Sequence, residues 1–600
     1  MEQNNNQIDT ARLYREPYCV RGNCLCKKTL NKNKPEPDIV PLCNFAPYIV
    51  RQIIVDSGGT NNGFRLVISG IDASGRKLKE ITVDGSDVDR LDWIKTQWGC
   101  ENRLFVVGSV KDHILSALYS TATAENKSVH YAVTGWRKID GEYRFLMPGD
   151  EKVTVELDGK LRNYGMVHTP ATQDDLILLK MMTTKDFAPP EVMLPLVAFT
   201  FMSPLHTFMY EAGCEPKSVL MLVGRSGSLK STLAALMLCF FGDFTSTSLP
   251  MSFKDTSNVI LYYAHALKDV PTVIDDFHPS LRSDEKNMTS AAQVITRGWG
   301  NRSGRGRLNP NCTPMDEKYP QGDAIITAEF PPDVGLSGTA RIFAVDMIPG
   351  CVNMDMLSFL QEEAKKNVLQ RCMFSYLEWI REKFLSDDGN FRCKLKKEYD
   401  GPRESVNKRF RDMGVSPHLR VPEDAAAMTV GYSFFLQFLS DSKCITEDEL
   451  IESQTLFEDV IFDLARKQNA SIEEDKPAQK FVRKLHSLLE SGRYCVVNKN
   501  EERTSLPSKC LGYYDEDNYY LFKTESHRAV RSLCEDQGEA FTISEDALVK
   551  ALATERLINT DRKQFAKNVR IGKETKRLIE LPKENVRFTV EQSGPCVSGK

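Results

Sequence analysis

One glycine-rich loop constrains this chain more than any other feature. Residues 218–223, Ser-Val-Leu-Met-Leu-Val, form a short apolar run of the kind that makes a buried strand. They lead into Gly224-Arg225-Ser226-Gly227-Ser228-Leu229-Lys230-Ser231-Thr232, which opens onto LAALMLCFFG, an apolar helix pattern that stops at Gly242. Strand, glycine-rich loop and helix, in that order, are the setting a phosphate-binding loop needs. Its backbone N–H groups and the helix N-terminus converge on phosphate oxygens. Every residue from Gly224 to Thr232 is therefore a candidate ATP ligand. Lys230 is expected to reach the β- and γ-phosphates, and the Ser231 hydroxyl to bind Mg²⁺. Leu229 stands where glycine usually precedes the lysine and eases a tight backbone.

A hydrolytic site also needs an acid for the metal and a group near the attacking water. The run 270–274, Val-Pro-Thr-Val-Ile, reads as a strand that ends in Asp275-Asp276-Phe277-His278-Pro279. Asp275 is expected in the Mg²⁺ shell. Asp276 is expected to orient or activate water, a role more often filled by Glu. The next apolar strand, Ala324-Ile325-Ile326-Thr327, carries two candidates for sensing the γ-phosphate, Thr327 and Glu329, and the sequence leaves the choice open. Arg341 heads the apolar strand Ile342-Phe343-Ala344-Val345. In a ring, an arginine so placed can neutralise charge at a neighbour's ATP.

A length of 600 residues suggests roughly three or four domains. The strand-rich stretch 44–165, with helices near 87–97 and 111–122, predicts a β-rich α+β domain after a poorly ordered lead-in at 1–43. Alternating strands and helices over 170–350 predict an α/β ATPase core. A helical lid is expected at 351–470, and a winged-helix-like domain at 475–600. No run of 18 apolar residues and no apolar leader is visible, so neither a membrane span nor a membrane partner is expected, and the chain reads as cytoplasmic. The 16 cysteines fit reduced thiols in that setting. The knot of Cys19, Cys24, Cys26 and Cys43 lacks the doubled pairing typical of zinc, and whether it binds zinc is left open. A net charge of −4 confines any nucleic-acid contact to local patches.

Two such patches are present. Arg297-Gly-Trp299-Gly-Asn-Arg302-Ser-Gly-Arg305-Gly-Arg307 carries four arginines and no acid. Arg302, Arg305 and Arg307 are candidate phosphate contacts, and Trp299 a candidate base platform. In the tail, Ser544 caps a helix pattern, and 566–581 reads as two strands around a basic turn. Lys567, Arg570, Lys573, Lys576 and Arg577 lie at that turn, with Lys573 and Arg577 the preferred DNA contacts.

The order of these motifs resembles the AAA+ ATPases. Within them the pattern is similar to the minichromosome-maintenance helicases, in the large residue at Leu229, in Ile274-Asp275-Asp276-Phe277, and in Ala340-Arg341-Ile342-Phe343. More specifically, the chain resembles a family of phage and mobile-element P-loop proteins that includes cassette-chromosome helicases. That resemblance covers roughly 44–600, including Thr134-Gly-Trp-Arg137 and the box Asp275–Pro279. It implies a ring-forming DNA helicase, expected as a homo-hexamer acting on single-stranded or forked DNA in element replication. Asp276 in place of Glu and Glu329 in place of the usual asparagine are departures that bear on hydrolysis. Two other functions remain open on the sequence. One is a non-unwinding, nucleic-acid-stimulated ATPase such as a loader or defence protein. The other is a DNA-binding module that uses ATP only to assemble.

Overall fold

A computed structural model describes residues 13–586 apart from 31–34, 60–61, 107, 280–281, 305, 307, 309–311, 313, 315, 502–504, 538, 540, 562–564 and 573. Three of the candidates, Arg305, Arg307 and Lys573, lie outside the described residues. The chain forms two compact units. The first takes the described residues up to His168 with His265–Lys268 and those of 306–317, and the second takes the rest.

The first unit is built around one long strand, Phe45–Asp56. It pairs antiparallel with Gly63–Asp72 and parallel with Lys127–Tyr131, at the centre of a five-stranded sheet closed by Ile81–Asp84 and Thr154–Val155. Helices Asp92–Trp98 and Val110–Ser120 lay Trp93, Trp98, Ile114 and Leu118 against Phe45, Ile49, Leu66 and Ile68. Trp98 packs edge-on to Phe45 and to Trp93, with ring centres 5.8 and 5.2 Å apart. Leu104 forms an isolated bridge to Cys43, the Phe105 N–H donates to the Leu42 carbonyl at 2.9 Å, and Val106 is exposed.

The lead-in expected to be poorly ordered is folded over much of its length. Tyr18–Arg21, Cys24–Thr29 and Asp38–Cys43 form a three-stranded antiparallel sheet. The reason is a few apolar residues set among polar ones. Leu25 and Leu42 are fully buried in the same core as Phe45. The cysteine knot sits in this sheet, with Cys19 opposite Cys26. Cys43 donates its thiol to the Phe45 carbonyl at 3.1 Å, and burial pushes that thiol up to about 12. Among the described residues, no group of three or more His, Cys, Asp or Glu is placed to hold a metal ion.

The second unit contains a parallel five-stranded sheet in the order Met251–Ser252, Pro271–Phe277, Asp323–Ala328, Val219–Val223, Ile342–Asp346. Parallel sheets are covered on both faces, and Val219–Val223 is buried at every residue. Pro190–Met202 lies in the core with nearly every side chain buried. The longer run Pro190–Glu211 is apolar and long enough to cross a membrane, and 94% of its most apolar stretch is buried inside the protein. Helix Arg420–Asp441 crosses it so closely that a Cβ on Gly431 would stand 2.3 Å from the Ala198 carbonyl oxygen. The stretch 351–470 contains the helices Met354–Lys365, Val368–Phe384, Asp388–Asp412, Arg420–Asp441 and most of Glu447–Glu474.

Beyond residue 476, a second five-stranded sheet runs Cys495–Asn498, Cys510–Tyr514, Asn518–Leu521, Glu574–Pro582, Lys567–Ile571. Helices Pro477–Glu490, Lys523–Asp536 and Glu545–Thr554 bury Phe481, Leu485, Val530 and Leu552 against Leu521, Ile579 and Leu581. The hairpin of Lys567–Ile571 and Glu574–Pro582 falls where the sequence placed two strands around a basic turn. The three strands between 495 and 521 had no counterpart in the sequence reading.

A candidate nucleotide cleft at the strand ends

Parallel strands deliver their C-terminal ends to one edge of the sheet, and loops there form the usual binding crevice. At this edge Val219–Val223 ends at Gly224, and a Cβ on Gly224 would meet the Met347 carbonyl oxygen at 2.3 Å. The loop therefore requires glycine at its first position. Gly227 has φ +83° and Leu229 φ +67°. Leu229 thus adopts the left-handed backbone that the missing glycine would have eased, at about 1–2 kcal/mol of strain. Helix Lys230–Leu238 starts directly after it.

The Lys230 ammonium donates to the carbonyls of Gly224 and Arg225 at 2.6 and 3.1 Å, and reaches the Ser228 hydroxyl at 3.4 Å. Burial holds it below the ordinary lysine range, against the attraction of Glu329, Asp275 and Asp276. Ser231 Oγ donates to Asp275 Oδ1 at 2.6 Å, and Thr327 Oγ1 donates to the same oxygen at 2.6 Å. The two halves of the motif, far apart in sequence, therefore meet at one carboxylate oxygen. A serine hydroxyl and a carboxylate are the hard oxygen donors that Mg²⁺ takes alongside phosphates and water.

The strand carrying the acids slips its register between Ile274 and Phe277, and Asp276 has φ +69°. A bulge of this kind re-aims a side chain. The Asp276 N–H is tied to Thr327 Oγ1 at 3.0 Å, and its carboxylate lies 3.4 Å from the Lys254 ammonium. Glu329 stands at the next strand end, 2.8 Å from His278 Nδ1. Together Ser226, Gly227, Lys230, Thr232, Asp276 and Glu329 help to line a cleft of about 350 Å³. The two sensor candidates are thus placed differently. Both line the cleft, but Thr327 is buried and bonded to the Asp275 carboxylate and the Asp276 N–H, whereas the Glu329 carboxylate pairs with His278. The sequence reading passed over Lys254, which follows a strand of only two residues and belongs to no motif.

The remaining candidates lie elsewhere. Arg341 precedes its strand and so stands at the opposite edge of the sheet, beside Val219. It is 9% exposed, donates to Asn301 Oδ1 and Ser337 Oγ at 2.6 Å each, and leaves its Nε without a partner. Arg302 corrects an expectation. Helix Arg282–Asn301 takes up the first part of the arginine-rich segment and ends just before Arg302. Arg302 turns inward to the carbonyls of Pro320 and Gly322 at 2.9 and 3.0 Å and to the His206 ring, near Glu215 and Asp323. Trp299 is likewise buried, at 2% exposure, and offers no platform for a base. Arg577 is exposed on its strand, opposite Asn568.

No family model matches the chain, and no curated protein matches it in sequence. Among solved structures it is similar to the SCCmec type IV Cch active helicase, with a TM-score of 0.56 and 14% identity over 96% of this chain and 99% of that one. The chain therefore shares the fold of that structure along nearly its whole length. A JCV helicase bound to an acetamide compound matches 41% of this chain and 74% of its own at 17% identity, but its TM-score of 0.18 is too low to bear on the fold.

Proposed function

We propose that the chain is an ATP-dependent DNA helicase of the AAA+ type. The observation that carries this is the meeting of Ser231, Asp275 and Thr327 at one oxygen beside Lys230, on a fold shared end to end with a helicase. Lys230 binds the β- and γ-phosphates, and the loop N–H groups from Gly224 to Thr232 cradle them. Ser231 and Asp275 hold Mg²⁺, which when bound neutralises charge on the phosphate oxygens. Thr327 orients Asp275 and ties the Asp276 backbone to the next strand.

A ring of copies, read as a hexamer, gives Arg341 its use. It stands at the sheet edge opposite its own cleft, and serving a neighbour's nucleotide from there requires its guanidinium to leave Asn301 and Ser337. With Arg302 and Trp299 buried, DNA contact falls to the basic turn of the tail, with Lys573 and Arg577, and to Arg305 and Arg307. The tail domain is read as winged-helix-like, and the host process as replication of a mobile element or phage in the cytoplasm. The test is displacement of a labelled strand from forked duplexes. ATP- and Mg²⁺-dependent displacement, absent in Lys230→Ala, is expected. ATP turnover without displacement would favour a loader or defence ATPase, a reading that the burial of Arg302 already favours in part.

A further inference from the structure

The cleft holds two carboxylates near the Lys230 ammonium, Asp276 and Glu329, and their surroundings differ. Asp276 sits on the bulge with a left-handed backbone, and its Oδ2 faces Lys254. Its side chain is 47% exposed, and that of Lys254 78%. Glu329 is more enclosed, at 28%. Its N–H donates to the Phe277 carbonyl at 3.2 Å, which fixes its backbone against the strand that carries the acids. Its Oε2 lies 2.8 Å from His278 Nδ1. A carboxylate only accepts, so that nitrogen carries the proton and donates it. The bond immobilises one carboxylate oxygen and leaves Oε1 for the cleft. Glu329 is also the leading anion acting on Lys230, ahead of Asp275 and Asp276.

A general base must be held in reach of the water it deprotonates, and a second group that orients it is the usual support. We propose that Glu329, and not Asp276, is the general base for the attacking water, with His278 as its positioning residue. Asp276 instead engages Lys254 and shapes the strand end. This deepens the ATP-hydrolysis reading and rests on it. As the water oxygen bonds to the γ-phosphorus, one water proton passes to Glu329 Oε1. The bond from the γ-phosphorus to the β,γ-bridging oxygen breaks, and its electron pair stays on that oxygen. ADP and inorganic phosphate result, and Glu329 returns its proton to solvent.

The test uses the full chain and measures kcat and KM for ATP, with Kd from a fluorescent ATP analogue, for the wild type, E329Q, D276N, H278A and H278N. E329Q is expected to lower kcat by at least ~100-fold while changing Kd by less than about threefold. D276N is expected to cost about tenfold or less. H278A is expected to lower kcat by about tenfold, and H278N to restore most of it, because the asparagine amide N–H replaces Nδ1–H. Retained analogue binding shows that each variant is folded. A loss in D276N equal to or greater than that in E329Q overturns the assignment. No recovery in H278N overturns the positioning role of His278. Absence of wild-type turnover with Mg·ATP overturns the hydrolysis reading and this inference together, whereas wild-type turnover with an active E329Q overturns the inference alone.

Discussion

The two edges of the parallel sheet carry similar residues to opposite ends. At the C-terminal edge, Lys230, Asp275, Asp276 and Glu329 are charged groups gathered around a cleft. At the N-terminal edge, Arg302, His206 and Asp323 are charged or ionisable groups closed in upon one another. Ser203 donates to Asp323 Oδ2 at 3.0 Å, and His206 Nδ1 lies 3.4 Å from its other oxygen. Burial works against the Asp323 carboxylate, but His206 and Arg302 overcome it and hold the group below the usual carboxylate range. The lesson is that charge density alone does not mark a site. What separates the edges is whether the charges face a cavity or complete each other's hydrogen bonds.

The sharpest way to break this comparison is Arg302→Ala. If Arg302 is a structural partner, its loss leaves Asp323 and Glu215 uncompensated and costs on the order of 3–5 kcal/mol in chemical denaturation. A variant of unchanged stability that binds DNA more weakly would place Arg302 on the DNA surface after all.

Asp424 tests the same edge through pH. Burial pushes its carboxyl up to about 7, against a hydrogen bond from Ser218 and the charge of Arg420. Its unfolded value is near 3.9, so the native state holds the extra proton and stability falls as pH rises from about 4 to about 7. Asp424→Asn removes that dependence. It is expected to match the wild type near pH 4 and exceed it by about 2–4 kcal/mol at pH 8. An advantage of equal size at both pH values would contradict the assignment.

The smallest expected effect belongs to the cleft edge. Leu229→Gly removes a left-handed leucine and should raise stability by about 1 kcal/mol without loss of nucleotide binding. A loss of stability would mean that the leucine side chain contributes more than its backbone costs.

The legible parts of this chain were those in which local pattern and chemistry coincide. The P-loop, the double aspartate and the Thr327 strand were readable because each is an apolar strand that ends in a short polar signature, and the structure brings all three to one edge. The basic loop misled because arginine spacing says nothing of direction. The helix that continues to Asn301 turns Arg302 inward, and nothing in its composition announces that. The first strands were missed because their apolar residues come in short runs broken by Asn, Lys and Pro, and Leu25 and Leu42 are brought together by pairing between separate strands. Lys254 and the His278–Glu329 pair were beyond the sequence for the same reason. Their contacts join separate strand ends, which no local period encodes.

The most direct measurement is ATP hydrolysis by the purified chain with Mg²⁺, with and without single-stranded DNA, using Lys230→Ala as the blank. Turnover that DNA stimulates several-fold and that vanishes in Lys230→Ala is the predicted result. Turnover that persists in Lys230→Ala would contradict the cleft assignment itself.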